Sequence, residues 1–203
     1  RFREAAATLR EVFDFDIVDE RMIADGALGQ YRVLVFLEGD TVEASTLESV
    51  AEWGGTGGVA VTYDLGNVAT VDGDPGPWRE LFGIAGALES TEECLPIETA
   101  YEQFLQHSSE NEGVATDQVC SRVAAGARVL VGNQEAAAVW ACSTGKGWGI
   151  MFAGTWEKRQ TYYDLLRDVV YRLSTFDAAK QDAPAIACRW DGVYATLFEG
   201  GKV

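Results

Sequence analysis

The feature that most constrains this chain is a pair of apolar runs at crossover spacing. Tyr31–Leu37 (YRVLVFL) and Val59–Tyr63 (VAVTY) read as strands, because each is nearly free of polar interruption. Such strands are buried on both faces, as in a parallel sheet. Between them, a segment from Thr41 or Glu43 to Trp53 places Leu47, Val50, Ala51 and Trp53 on one helical stripe. The run Gly54-Gly55-Thr56-Gly57-Gly58 stops that helix. Strand, helix, strand at this spacing predicts a βαβ unit and hence an α/β fold.

The rest of the chain extends this reading. Phe2–Phe13 has helical apolar spacing, Phe15–Val18 a short strand pattern, and Asp19 can cap a helical turn that Gly26 ends. Asp64–Pro77 reads as loop and Pro77–Phe82 as a short helix closed by Gly83. Residues 84–125 carry no sustained period. Ala127–Val131 reads as a strand, and Ala136–Cys142 with Trp148–Ala153 as a hairpin turning through Ser143–Gly147. Gln160–Leu173 has a helical stripe of Leu165, Leu166, Val169, Val170 and Leu173. Ala185–Trp190 and Val193–Phe198 read as a second hairpin turning at Asp191-Gly192. The expected architecture is a three-layer, flavodoxin-like α/β fold with a mostly parallel sheet over residues 1–178. A C-terminal β-hairpin follows over 179–203, at the start of a further β-domain. The first residues, Arg1-Phe2, and the last, Glu199–Val203, lead to the expectation that the chain is one portion of a longer polypeptide.

Charge narrows the partners. The chain has 16 basic and 32 acidic residues, a net charge of -16. Residues 1–100 hold 20 of the acidic residues and only 6 of the basic ones. A surface of that sign repels phosphate polymers, so nucleic acid and anionic membrane are not expected partners. No run approaches the ~20 apolar residues of a membrane-spanning helix. No secretory leader pattern is present, so no compartment is assigned.

The residues that could carry chemistry are few. Cys94, Cys120, Cys142 and Cys188 are too far apart in sequence for a zinc knuckle; they read as buried thiols by default, with one disulfide of unassigned pairing as the alternative. His107 is the one histidine and reads as a surface residue. The Gly54–Gly58 run precedes a strand, whereas a phosphate loop follows one and opens a helix. Gly145-Lys146-Gly147 sits between two strands and reads as a hairpin turn. Glu38, Asp40 and Asp64 lie at the ends of neighbouring strands, where three carboxylates can offer oxygen ligands to a hard cation or hold a small molecule such as a sugar. Trp148, Trp156, Tyr162 and Tyr163 fit an interface or core better than a sugar platform. No cofactor motif is present, and no metal ligand set is expected.

Several short motifs in order, YRVLVFLEGD, AEWGGTGG, VAVTYD, WRELFG and GKGWGIMFAGT, resemble the class I glutamine amidotransferase-like fold over about residues 28–175. They resemble in particular the non-catalytic variant that follows the catalytic barrel in family 42 β-galactosidases and serves there in trimerisation. In the enzymatic members a Cys on a tight strand-to-helix elbow attacks an amide, with His and Glu supplied late in the chain. The resemblance puts Asp64 at the Cys position, Ala153 at the His position and Thr155 at the Glu position. All three triad members are thus replaced. The resemblance implies a structural or oligomerisation domain of a larger glycosidase-type protein, packed on a catalytic domain of the same polypeptide or on other copies. The alternative is a binding domain, or divergent hydrolase, using the sheet edge near Glu38, Asp40 and Asp64.

Overall fold

The computed structural model describes residues 15–37, 39–63, 67–92, 94–95 and 114–154. The expected helices at 2–13 and 160–173, the second hairpin at 185–198 and the boundary near 178 lie outside the described residues.

The first described segment, 15–19, is extended and is not the expected strand. Its half-buried Phe15 and Val18 pack against opposite core clusters, while Ile17 is exposed. Helix α1 (Glu20–Ala24) begins at Asp19, whose carboxylate accepts from the Met22 N–H at 2.8 Å. Gly26 follows at φ 88, a left-handed turn that a β-carbon would strain. A 3-10 turn over Ala27–Gln30 leads into strand β1 (Val33–Phe36).

After β1 come a short strand β2 (Thr41–Val42) and helix α2 (Ala44–Gly55). No side chain caps α2. Instead, the Glu43 N–H at its start donates to the Glu20 carboxylate of α1 at 2.7 Å, tying the two helices together. Leu47, Val50 and Gly54 are buried, while Ala51 is exposed, so the inner stripe is narrower than its apolar spacing indicated. Strand β3 (Val59–Tyr63) follows and pairs parallel with β1, Val33 opposite Val59 through Phe36 opposite Thr62. The βαβ unit is therefore present as read. Strand β4 (Ala69–Thr70) pairs parallel with β2, and helix α3 (Gly76–Leu81) closes at Gly83, φ 64.

The unpatterned stretch contains strands β5 (Leu88–Ser90), β6 (Cys94–Leu95), β7 (Val114–Ala115) and β8 (Gln118–Cys120). Then come β9 (Arg128–Asn133), β10 (Ala136–Ser143) and β11 (Trp148–Phe152). The main sheet has seven strands in the order β1-β3-β11-β10-β8-β5, with β9 also paired to β10. It is mixed and open. β1, β3 and β11 are mutually parallel neighbours, while every pairing from β11 outward to β5 is antiparallel. The parallel character expected from sequence is that of the β1-β3-β11 half. A β9–β10 hairpin, not read from the sequence, turns on the Asn133 side chain, which accepts from the N–H groups of Glu135 and Ala136.

The alternation of each strand splits the core in two. One face of the sheet gathers Val59, Val61, Val139, Ile150 and Phe152. The other gathers Leu34, Ala60, Trp140 and Met151 under α2 and α3, with Leu47, Val50, Trp78 and Phe82. Trp78 and Phe82 lie 4.6 Å apart, and Phe36 meets the Trp78 ring edge to face at 5.1 Å.

Candidate functional site

The parallel half of the sheet fixes one edge. Phe36, Thr62 and Met151 stand in register across β1, β3 and β11. The chain therefore leaves all three strands on the same side, where ligands collect in open α/β sheets. The segments leaving β1 and β3 are laced together, since the Ala69 N–H donates to the Asp40 carbonyl at 3.0 Å and Val71 to Val42 at 3.2 Å.

Of the residues singled out from sequence, Asp40 and Ala153 are described; Glu38, Asp64 and Thr155 lie outside the described residues, as does His107. Asp40 is exposed and its carboxylate accepts from the adjacent Thr41 hydroxyl at 3.1 Å. Among the described residues no three His, Cys, Asp or Glu side chains gather closely enough to hold a metal ion.

Ala153, which the sequence resemblance sets against the amidotransferase His, is 0% exposed and belongs to the helix-covered core. Its N–H donates to the Ala138 carbonyl at 2.8 Å and its carbonyl accepts from the Thr116 hydroxyl at 3.1 Å. Gly154 follows at φ 87, and a β-carbon there would overlap the Asp117 carboxylate and the Thr116 hydroxyl. The chain thus leaves β11 pinned against the approach to β8, with Ala153 buried.

Sequence reading missed Thr62. It sits in the register row just named, is 0% exposed, and its hydroxyl has no hydrogen-bond partner. The one visible signal is a hydroxyl residue inside an otherwise apolar strand. An unpaired buried hydroxyl costs stability, which makes Thr62 unusual within its strand.

The two Gly-rich motifs are structural. Gly147 lies against the carbonyls of Gly58 and Gly54, Gly58 lies under the Trp53 ring, and the Trp148 N–H donates to the Gly58 carbonyl at 3.1 Å. This contact lies at the opposite ends of β3 and β11 from Thr62. Gly145–Gly147 is a hairpin turn, as read. Trp148 is half-buried with the Arg128 guanidinium 5.0 Å from its ring centre, so one aromatic face is already covered. Cys120 is buried and its thiol donates to the Arg122 carbonyl; Cys142 is half-buried. No described helix is long and apolar enough to cross a membrane.

No family model matches the sequence, and no curated protein matches it significantly. Solved structures do share the fold. Cytoplasmic protein STM1381 from Salmonella typhimurium LT2 aligns with a TM-score of 0.63 at 13% identity, over 84% of this chain and 86% of that one. The cold-adapted β-galactosidase from Rahnella sp. R3 aligns at 0.56 and 16% identity, over 78% of this chain but only 24% of the enzyme's. The mmIFT52 N-terminal domain aligns at 0.54 and 12% identity, over 86% of this chain and 91% of that one. At these identities the likeness is one of fold, and the part shared with the β-galactosidase is one segment of a much longer enzyme.

Proposed function

We propose that this chain is a non-catalytic, amidotransferase-like domain of a larger glycosidase-type protein, which packs on a catalytic domain or on further copies of itself. The single observation that carries this reading is the filled core at Ala153. A working triad needs an imidazole with access to solvent and substrate; the residue that the resemblance sets at that place is a buried alanine, which supports the reading. The fold shared with about 24% of a β-galactosidase chain supports a domain embedded in a longer protein. The three-layer arrangement with a following hairpin belongs to the same proposal. Two measurements on the native polypeptide test it: its mass and assembly by light scattering, and ammonia release from glutamine. A long chain that assembles and releases no ammonia is expected; enzyme-like ammonia release overturns the reading.

A second reading is favoured by Thr62. The edge near Glu38, Asp40 and Asp64 would bind a sugar or a cation, with the unpaired hydroxyl as one contact. Saturable binding of either, lost in Asp64→Ala and weakened in Thr62→Val, supports it.

A further inference from the structure

Away from the strand ends, on the antiparallel side of the sheet, an open cleft of about 650 Å³ is lined by Arg79, Ala85, Gly86, Ala87, Ser121 and Arg122. Its charge is opposite to that of the chain. Two arginines line it and, among the described residues, no acidic residue does, in a protein of net charge -16. We propose that this cleft binds a doubly charged oxyanion, a free phosphate or a phosphate monoester, between Arg79 and Arg122.

The cleft is built rather than incidental. The Arg79 guanidinium donates to the Gly86 carbonyl and the Arg122 guanidinium to the neighbouring Ala85 carbonyl, at 3.3 Å for the second. These bonds anchor two flexible side chains to consecutive peptide groups. The wall is fixed in turn, because the N–H groups of Ala85 and Gly86 both donate to the Arg122 carbonyl. Gly86 fits so tightly against the Arg122 N–H and the Ser121 hydroxyl that a β-carbon would come within 2.5 Å and 2.7 Å of them. Ser121 adds a two-way bond to Ala87, accepting from its N–H at 3.0 Å and donating to its carbonyl at 3.2 Å.

What remains is donor capacity. A guanidinium carries about five N–H groups, and each of these spends one on a carbonyl. Among the described residues neither arginine is paired with a carboxylate, although the chain has twice as many acidic as basic residues. A single carboxylate needs one guanidinium for its two-point bond. Two guanidiniums on one cleft match a group with about two negative charges and oxygens in more than one plane, which is phosphate at neutral pH. Ala85 and Ala87 are small and exposed, so the cleft stays open and a phosphate can enter while still attached to a larger molecule.

Titration calorimetry with inorganic phosphate at fixed ionic strength tests this. One saturable site is expected. Arg122→Gln, an exposed residue, should weaken binding by about tenfold or more, the value of a charged hydrogen bond. Arg79→Lys keeps the charge but loses the fork, and should also weaken it. Lys146→Gln, an exposed cation at the β10–β11 turn, should leave binding unchanged. A glycerol phosphate arm separates the sources: tighter binding than phosphate indicates a ligand-borne group, weaker binding the free ion. No saturable site, equal loss with Lys146→Gln, or acetate binding as tightly as phosphate would each overturn the proposal.

Discussion

Gly147 stands directly against the carbonyl oxygen of Gly58, leaving no room for a β-carbon between β11 and the end of the α2 turn. The neighbour is backbone, which cannot swing away as a side-chain tip would. Gly147→Ala is expected to cost about 3 kcal/mol, the upper end for overpacking, read as a lower urea midpoint. Gly55→Ala is the contrast, since a β-carbon there meets only the Thr144 carbonyl at 3.7 Å, ordinary contact. At the last residue of the helix it should be neutral or slightly stabilising, by less than about 1 kcal/mol.

Trp140 joins the sheet to α3. Its indole N–H donates to the Phe82 carbonyl at 2.7 Å, in a site with no exposure. Trp140→Phe keeps the aromatic body but orphans that carbonyl. A loss of about 2 kcal/mol is expected from the unpaired group alone, measured by thermal or urea denaturation. A loss under about 0.5 kcal/mol would show that the bond does not hold the helix down.

Much of this frame was legible. The strand Val59–Tyr63 announced itself because burial on both faces forces continuous apolar residues, and the observed β3 has the bounds read from sequence; Tyr31–Leu37 holds the shorter β1, Val33–Phe36, of which only Leu34 is fully buried. The Gly54–Gly58 and Gly145–Gly147 runs were rightly read as a stop and a turn, but not as each other's partner, because close approach of two backbones leaves no pattern in either segment. The antiparallel half was opaque for a different reason. Leu88–Ser90 and Gln118–Cys120 are three residues each, too short to show a period. The Arg79–Arg122 cleft joins residues 43 positions apart that meet only through those strands. Ala51 erred the other way, since alanine is common on exposed helix faces for its propensity alone.

Alkaline pH should weaken the fold, with Cys142 as one cause. Burial raises its thiol above the ordinary range. The native state therefore keeps the proton at pH values where the unfolded chain releases it. Stability from this group is complete below the ordinary thiol range and is lost as pH rises toward the raised native value. Denaturation at about pH 7 and about pH 10 should show a drop that shrinks in Cys142→Ala. A residual drop is expected from Tyr31, whose hydroxyl is raised first by lost hydration and then by its bond to Asp16.

On the non-catalytic reading proposed above, placing an imidazole at 153 should give no amidotransferase activity. Ala153→His pushes a ring into a filled core and is expected to cost about 3 kcal/mol, with no ammonia released from glutamine. A soluble variant of unchanged melting temperature would show that space exists at this position, and would remove the observation on which the non-catalytic reading rests.

Thr62→Val separates a structural from a binding role for the sheet edge. The hydroxyl is fully buried and unpaired, so the isosteric methyl should stabilise the free protein by about 1–2 kcal/mol. Keeping an unpaired hydroxyl at a strand end is an avoidable cost unless something reaches it. If a sugar or cation does, wild type should gain stability on adding it, and the variant should gain less while starting higher. The two melting curves, with and without ligand, would then converge. Equal gains in both proteins would place the ligand elsewhere and leave Thr62 as a packing residue alone.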